Sequence, residues 1–170
     1  MKTLIFTFLL LAFVPLIAMA DNSLQFKGGI GVDVAQIQTG TPDTVVPNVV
    51  CGVQPGTAAW VISQLNASVD TTDGHIHVNG HGLLLAGANA IGTNGNQVVR
   101  AELFCEAPAG TCGTPSFTSV GVPLAANGDF QIDDTLEPLP DNPCTNPVLL
   151  IINAGGRWFA AGIPHQHNKD

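Results

Sequence analysis

Positive charge is scarce in this sequence. Its 170 residues include only five Lys and Arg against thirteen Asp and Glu, so the formal net charge is −8 at pH 7. So few cations cannot form the basic patch that binds phosphates by releasing counterions. The sequence therefore argues against nucleic acid and anionic membranes as partners, and its acidity favours solubility.

Large aromatic side chains are also few. Tyrosine is absent, and tryptophan occurs only twice, at Trp60 and Trp158. A carbohydrate- or surface-binding module uses aromatic rings as a platform for its ligand. Such a module is one alternative function for this chain, and it loses its best residues if both indoles are buried. A protein partner is equally open.

Recognisable catalytic motifs are missing. The sequence has no G-x-S-x-G nucleophile elbow and no phosphate-binding loop with its lysine. The acidic stretch DFQIDDTLE supplies four carboxylates, but nothing in the sequence sets the separation that glycoside hydrolysis requires. We therefore predict a protein that is not an enzyme and has no cofactor. The four carboxylates are those of Asp129, Asp133, Asp134 and Glu137.

The first twenty residues have the composition of a secretory signal peptide. MKTLIFTFLLLAFVPLIAMA contains one lysine, then an apolar run, then the small-residue pattern Ala18-Met19-Ala20. Pro15 interrupts the run, and no basic stop-transfer flank follows it. We predict cleavage after Ala20 and release of a secreted domain, which would be periplasmic in a bacterium.

Four cysteines lie in the predicted mature chain, and an even number in an oxidising compartment indicates two disulfides. Four cysteines allow three pairings. Cys105 and Cys112 enclose EAPAGT, a Pro/Gly turn that could bring two strand ends together, so we predict this pair together with Cys51–Cys144. A metal site of thiolates is disfavoured because the sequence has no C-x-x-C pair.

Short runs rich in Val, Ile, Leu, Thr and Phe recur through the mature sequence and end at Gly, Pro, Asn or Asp. Such spacing indicates an all-β sandwich or barrel. We predict a single antiparallel β-sandwich of the immunoglobulin-like, Greek-key type over residues 44–164. Residues 21–43 are Gly-rich and are predicted to be a loosely packed arm or an edge strand, with residues 165–170 a flexible tail.

Alternation of apolar and polar residues assigns the core. In HIHVNGH (75–81), Ile76 and Val78 point to one face of a strand while His75 and His77 point to the other. PVLLIIN (147–153) is apolar on both faces and is predicted to be a central strand. Most of the large aromatic residues are expected to fill the interior, and these residues are Trp60, Phe104, Phe130, Trp158 and Phe159.

The same stretch holds three of the five histidines. His75 and His77 would stand about 6.6 Å apart along a strand, and two such rings can converge on one metal ion. His81 could join them only if a neighbouring glycine bent the strand. The simpler interpretation is that these residues are the outward positions of a strand whose other face is buried. Metal binding through His75 and His77 is therefore an alternative function.

Two further features bear on possible sites. The C-terminal HQH contains His165 and His167, which could approach the other histidines from elsewhere in the fold. The tripeptide Asn66-Ala67-Ser68 matches the N-glycosylation sequon, which matters only in a host that glycosylates secreted proteins.

Three segments resemble a group of small exported proteins of uncharacterised function: HVNGHGLLLAGANAIGTNGNQVVRAELFC, GVPLAANGDFQIDD and NPCTNPVLLIINAGGRWFAAGIP. The resemblance spans residues 45–164 and implies no activity, cofactor or site residue. In addition, ANGDFQIDD is similar to the Gly-Asp-Phe hairpins of transthyretin-like and other immunoglobulin-like sandwiches, which implies a fold class alone. Together these observations predict a secreted, non-catalytic binding or structural β-sandwich module of unknown ligand.

Overall fold

The described part of the chain consists of strands, turns and loops, without a helix, as the sequence predicts. A computed structural model describes residues 22–38, 42, 44–87, 89–107 and 111–165. The predicted signal peptide (1–20) and residues 166–170 of the predicted tail lie outside the described residues. Within the described residues, no helix is long and apolar enough to cross a membrane.

Sixteen strands are present in the described residues, several of only two residues. They are β1 (Ser23–Gly31), β2 (Ala35–Gln38), β3 (Thr44–Pro47), β4 (Gln54–Pro55), β5 (Trp60–Val61), β6 (Gln64–Asp70), β7 (His75–His81), β8 (Leu84–Leu85), β9 (Val98–Phe104), β10 (Glu106–Ala107), β11 (Thr111–Cys112), β12 (Phe117–Thr118), β13 (Val122–Pro123), β14 (Phe130–Thr135), β15 (Val148–Asn153) and β16 (Arg157–Pro164).

Ten of these strands form one curled sheet. Its order is β12-β9-β15-β16-β1-β6-β7-β14, with β13 also paired to β9 and β4 paired in parallel to β16. The other pairings within this sheet are antiparallel. The curl brings the two ends of the sheet together, because Thr118, in β12, and Glu137, just after β14, exchange two backbone hydrogen bonds of 2.9 Å.

The inner face of the curled sheet holds the main core. Alternate residues of β6, β7 and β9 point inward and are buried, as in β7, where Ile76 and Val78 are 0% exposed. The five large aromatic residues predicted to be interior are all buried, which confirms that prediction. The inward residues include Phe26, Leu65, Val69, Ile76, Val78, Val99, Ala101, Leu103, Ile132, Leu149, Ile151 and Ala160.

The outer face differs between the two halves of the sheet. Over β6, β7 and β14 it is polar and accessible. Over β15 it is apolar and covered, because the outward residues Leu150 and Ile152 are as fully buried as the inward ones. The segment 48–56 lies beside this part of the sheet: the Trp158 indole donates to the Asn48 carbonyl, and the Gly56 amide donates to the Trp158 carbonyl. The prediction that 147–153 is a central strand is confirmed.

The prediction that residues 21–43 form a loosely packed arm or an edge strand is wrong for β1. This strand pairs with β16 on one side and β6 on the other, and Phe26 is 1% exposed. Its glycines permit close packing rather than looseness. A Cβ on Gly29 would lie 2.9 Å from the Leu65 Cβ, and one on Gly31 would overlap the Trp60 carbonyl oxygen.

All four cysteines form disulfides, but the predicted pairing is wrong. The bonds are Cys51–Cys112 and Cys105–Cys144, with Cα–Cα distances of 5.1 and 5.0 Å. The prediction used the short separation of Cys105 and Cys112 along the chain. Both bonds instead connect residues that only the folded sheet brings together, 61 and 39 residues apart. Their presence is compatible with an extracellular or secreted protein.

Candidate functional site

The histidines of β7 lie on its outward, polar face, as alternation predicts. The Ile76 and Val78 side chains are buried on the opposite face. In register, His77 lies between Ser68 of β6 and Asp133 of β14. This part of the surface is therefore a polar row on the outside of the sheet.

Two carboxylates of β14 and its preceding turn pair with this row. His75 Nε2 lies 3.4 Å from Asp133 Oδ1, and His81 Nδ1 lies 3.3 Å from Asp129 Oδ1. All four side chains are at least 39% exposed. Exposed ion pairs of this kind contribute little to stability, so the row has the character of a solvated strand face.

Metal binding through His75 and His77 gains no third ligand from the fold. Among the residues that the structure describes, no three or more His, Cys, Asp or Glu side chains are placed to hold a metal ion. The pairing of β7 with its two neighbours passes through Gly80 without a register shift, so Gly80 does not bend the strand to bring His81 toward His77. His165 is exposed after β16, and His167 lies outside the described residues.

Asp129 has the most hydrogen-bonded carboxylate of this surface. Desolvation raises its pKa, but hydrogen bonds from the Gly82 amide, His81 and Asn127, together with the charge of His81, outweigh it, and the net pKa is lowered. Asp129 therefore stabilises the turn between β13 and β14 in its ionised form. In linkage terms, a lowered native pKa gives stability that is present at neutral pH and lost as the pH falls through the native pKa.

We expect Asp129→Asn to lower stability at pH 7 and to have progressively less effect as the pH is lowered below about 4, where aspartate protonates. The physical reason is that the amide removes the group whose ionised form the native state favours. Thermal unfolding followed by circular dichroism between pH 2 and 7 measures this. Asp141→Asn, in the exposed loop before β15, is the control for the loss of one negative charge. A difference between wild type and Asp129→Asn that stays constant with pH would contradict the prediction.

The other carboxylates of DFQIDDTLE are dispersed by the strand. Asp134 accepts a hydrogen bond from the Val120 amide, and Glu137 joins the two ends of the sheet through its backbone. Asp129 and Asp133 face histidines instead. Three of the four side chains thus make separate local contacts, and Glu137 makes its contact through the backbone.

Asn66, the residue of the glycosylation sequon, is exposed on β6. Its neighbours in register are Lys27 of β1 and Asn79 of β7. Glycosylation of Asn66 stays a prediction that depends on the host.

A separate cleft opens at one end of the curled sheet. Its volume is about 490 Å³, which falls within the range of small-molecule sites, roughly 300–1,000 Å³. Its apolar wall is formed by Trp60 of β5, Leu85 of β8 and Phe159 of β16. The Trp60 and Phe159 rings are stacked, with centroids 4.2 Å apart and planes inclined by 13°. Both are more than 95% buried, so they form a rigid base.

The opposite wall of the cleft is polar and internally hydrogen-bonded. Asn153 Oδ1 accepts from the Arg157 amide at 3.0 Å, and its Nδ2 lies 3.3 Å from Gln97 Oε1. Gln97 Nε2 in turn donates to the Gly95 carbonyl. The Arg157 guanidinium is held by the Pro55 carbonyl at 3.0 Å. These contacts fix the polar groups before any ligand arrives.

This cleft was not predicted from the sequence. Its walls come from residues 57–60, 85–97 and 153–159, which the strand order brings together and which share no motif. The carbohydrate-binding alternative loses its best platform residues, because Trp60 and Trp158 are only 4% and 3% exposed. Trp60 contributes instead to the base of the cleft.

Comparison with protein families, with curated proteins and with solved structures gave no match to this chain. The resemblances to exported proteins and to immunoglobulin-like sandwiches therefore stay predictions.

Proposed function

We propose that the chain is a secreted, non-catalytic binding module that holds a small ligand in the cleft between the Trp60–Phe159 pair and Arg157. The observation that carries the proposal is the combination of a buried aromatic base with a preformed polar wall in a cleft of about 490 Å³. Sites for small molecules have this composition: mostly apolar walls with a few fixed polar groups that orient the ligand.

A binding role is favoured over a catalytic one by the chemistry of the lining. Among the residues that the structure describes, Arg157 is the only charged one that lines the cleft, and arginine stays protonated throughout the physiological range. General acid–base catalysis needs a group that titrates near the working pH. The His–Asp pairs do not line the cleft and lie on the outer face of the sheet.

Secretion is part of the proposal. It is supported by the signal-like N-terminus and by two long-range disulfides, which an oxidising compartment would maintain. We also propose that the fold is a variant of the β-sandwich. The halves β12-β9-β15-β16 and β1-β6-β7-β14 of the curled sheet contribute residues to one core.

The test blocks the cleft with a larger side chain of the protein itself. Gly87 lines it, has no atom within 4 Å of an added Cβ and does not require a positive φ, so Gly87→Phe should place a ring in the cleft without straining the backbone. Gln131→Phe adds the same ring to the exposed face of β14, where aromatic residues are well tolerated, and is the matched control.

A small-molecule library is screened by ligand-observed NMR against wild type, Gly87→Phe and Gln131→Phe. We expect compounds that bind wild type and Gln131→Phe but not Gly87→Phe. Binding that is equal in all three proteins, or a screen without any binder to the wild type, would contradict a cleft-binding function.

A further inference from the structure

The cleft contains an isolated positive charge in an acidic protein. The chain carries a formal net charge of −8, and the described residues include only three fixed cations, Lys27, Arg100 and Arg157. One of the three stands at the cleft. Charge on this protein is otherwise predominantly negative, so the positive charge of Arg157 is the feature with which a charged ligand would interact most strongly.

Arg157 has no carboxylate partner among the described residues. Its side chain donates from Nη1 to the Pro55 carbonyl, and its backbone amide donates to Asn153 Oδ1. A guanidinium has five N–H donors in a planar fork that matches a carboxylate. The Pro55 contact anchors the group while leaving a fixed positive charge at the cleft that no carboxylate of the described residues neutralises.

The rest of the lining defines the other end of the ligand. Trp60, Leu85 and Phe159 form an apolar wall, and small residues such as Ala58, Ala90 and Gly95 complete it. A flat ring or a short apolar chain would bury its surface against this wall. Gln97 and Asn153 already bond to each other, so they offer few additional donors to a strongly hydroxylated ligand.

From this arrangement we infer that the ligand is a small amphipathic carboxylate, with its apolar part against Trp60 and Phe159 and its anionic group toward Arg157. The inference rests on the proposed function, since it names the ligand class of the same cleft. It distinguishes this class from neutral sugars, which would need more polar partners, and from cations, which Arg157 would repel.

The test compares two probes that have the same shape and differ in charge. Naphthalene-2-carboxylate and naphthalene-2-carboxamide are titrated by calorimetry at pH 7 into wild type, Arg157→Gln, Arg157→Lys and Gly87→Phe. We expect wild type to bind the carboxylate about tenfold more tightly than the carboxamide, as hydrogen bonds to a charged group would give. Arg157→Gln should remove this preference and keep carboxamide binding, and Arg157→Lys should retain part of it.

The outcomes separate the two proposals. Equal affinity of wild type for both probes, or a preference that persists in Arg157→Gln, would overturn the anionic ligand while the cleft remains a binding site. If neither probe binds but the library screen yields neutral compounds sensitive to Gly87→Phe, the ligand class is wrong and the proposed function stands. If neither probe binds and the screen also fails, both are wrong. The comparison of probes on wild type does not depend on how well any variant folds.

Discussion

Leu150→Ala should destabilise the protein as strongly as Leu149→Ala, each by about 3 kcal/mol, although the two side chains point to opposite faces of β15. Leu149 faces the main core, paired with Leu103, whereas Leu150 is paired with Glu102 and Ala161 on the outer face. Both leucines are 0% exposed. Because both leucines are fully buried, truncation of either one to alanine loses a similar transfer free energy and leaves a comparable cavity, whichever face of the sheet it lies on.

Urea unfolding followed by tryptophan fluorescence measures both variants, with an unchanged m-value required for the comparison. Gln131→Ala, exposed on β14, is the control and should change stability by less than about 0.5 kcal/mol. A loss of less than about 1 kcal/mol for Leu150→Ala would mean that the outer face of β15 is open to water, and that segment 48–56 does not form a second layer.

Removing the Cys105–Cys144 bond by the double variant Cys105→Ala/Cys144→Ala should cost about 5 kcal/mol, and removing Cys51–Cys112 in the same way about 4 kcal/mol. The two loops, of 39 and 61 residues, have similar closure entropies because the dependence on loop length is logarithmic. The larger expected cost of removing Cys105–Cys144 comes from the burial of this disulfide. Cys105 and Cys144 are 3% and 8% exposed, so their loss also leaves a cavity in the core.

Denaturant unfolding of the oxidised proteins gives both values, and peptide mapping of the wild type is the control for connectivity. Cleavage after Glu102 and Glu106 and before Asp129 separates the cysteines. The fragment 103–106 should be linked to the fragment that contains Cys144. A link from 103–106 to 107–128 would restore the Cys105–Cys112 pairing predicted from the sequence and refute the one in the fold.

Local periodicity predicted the strands well. The alternation in 75–81 identified β7 with the correct inward residues, and the doubly apolar stretch 147–153 identified β15 as a central strand. These predictions succeed because the side chains of a strand alternate between its two faces whatever the rest of the chain does. The outward placement of His75 and His77 followed from the same rule.

Long-range contacts were not predictable in this way. The Cys105–Cys112 prediction rested on proximity along the chain, but Cys112 bonds to Cys51. The Gly-rich stretch that contains β1 predicts loose packing, because its apolar and polar residues show little alternation. In the fold, Gly29 and Gly31 admit the backbone and side chains of neighbouring elements. The sequence alone does not distinguish a glycine that makes the backbone flexible from a glycine whose missing side chain leaves room for a neighbouring element.

The cleft is the extreme case of this limit. Its aromatic base pairs Trp60 with Phe159, almost one hundred residues later in the chain, and its polar wall joins Gln97 to Asn153 and Arg157. Each residue alone has an ordinary structural explanation. Only the order of the strands in the sheet makes them neighbours, so no motif could have indicated the site.

The junction of the two sheet ends has a consequence for the association of the protein with copies of itself. Terminal strands of a sheet can recruit the strands of other molecules and start aggregation. Here the Thr118–Glu137 hydrogen bonds lie at one end of the junction, and the Asp134 carboxylate accepts a hydrogen bond from the Val120 amide beside them. The strand β14 also carries the charge of Asp133. The molecule therefore shields the strands through which copies of itself would otherwise associate.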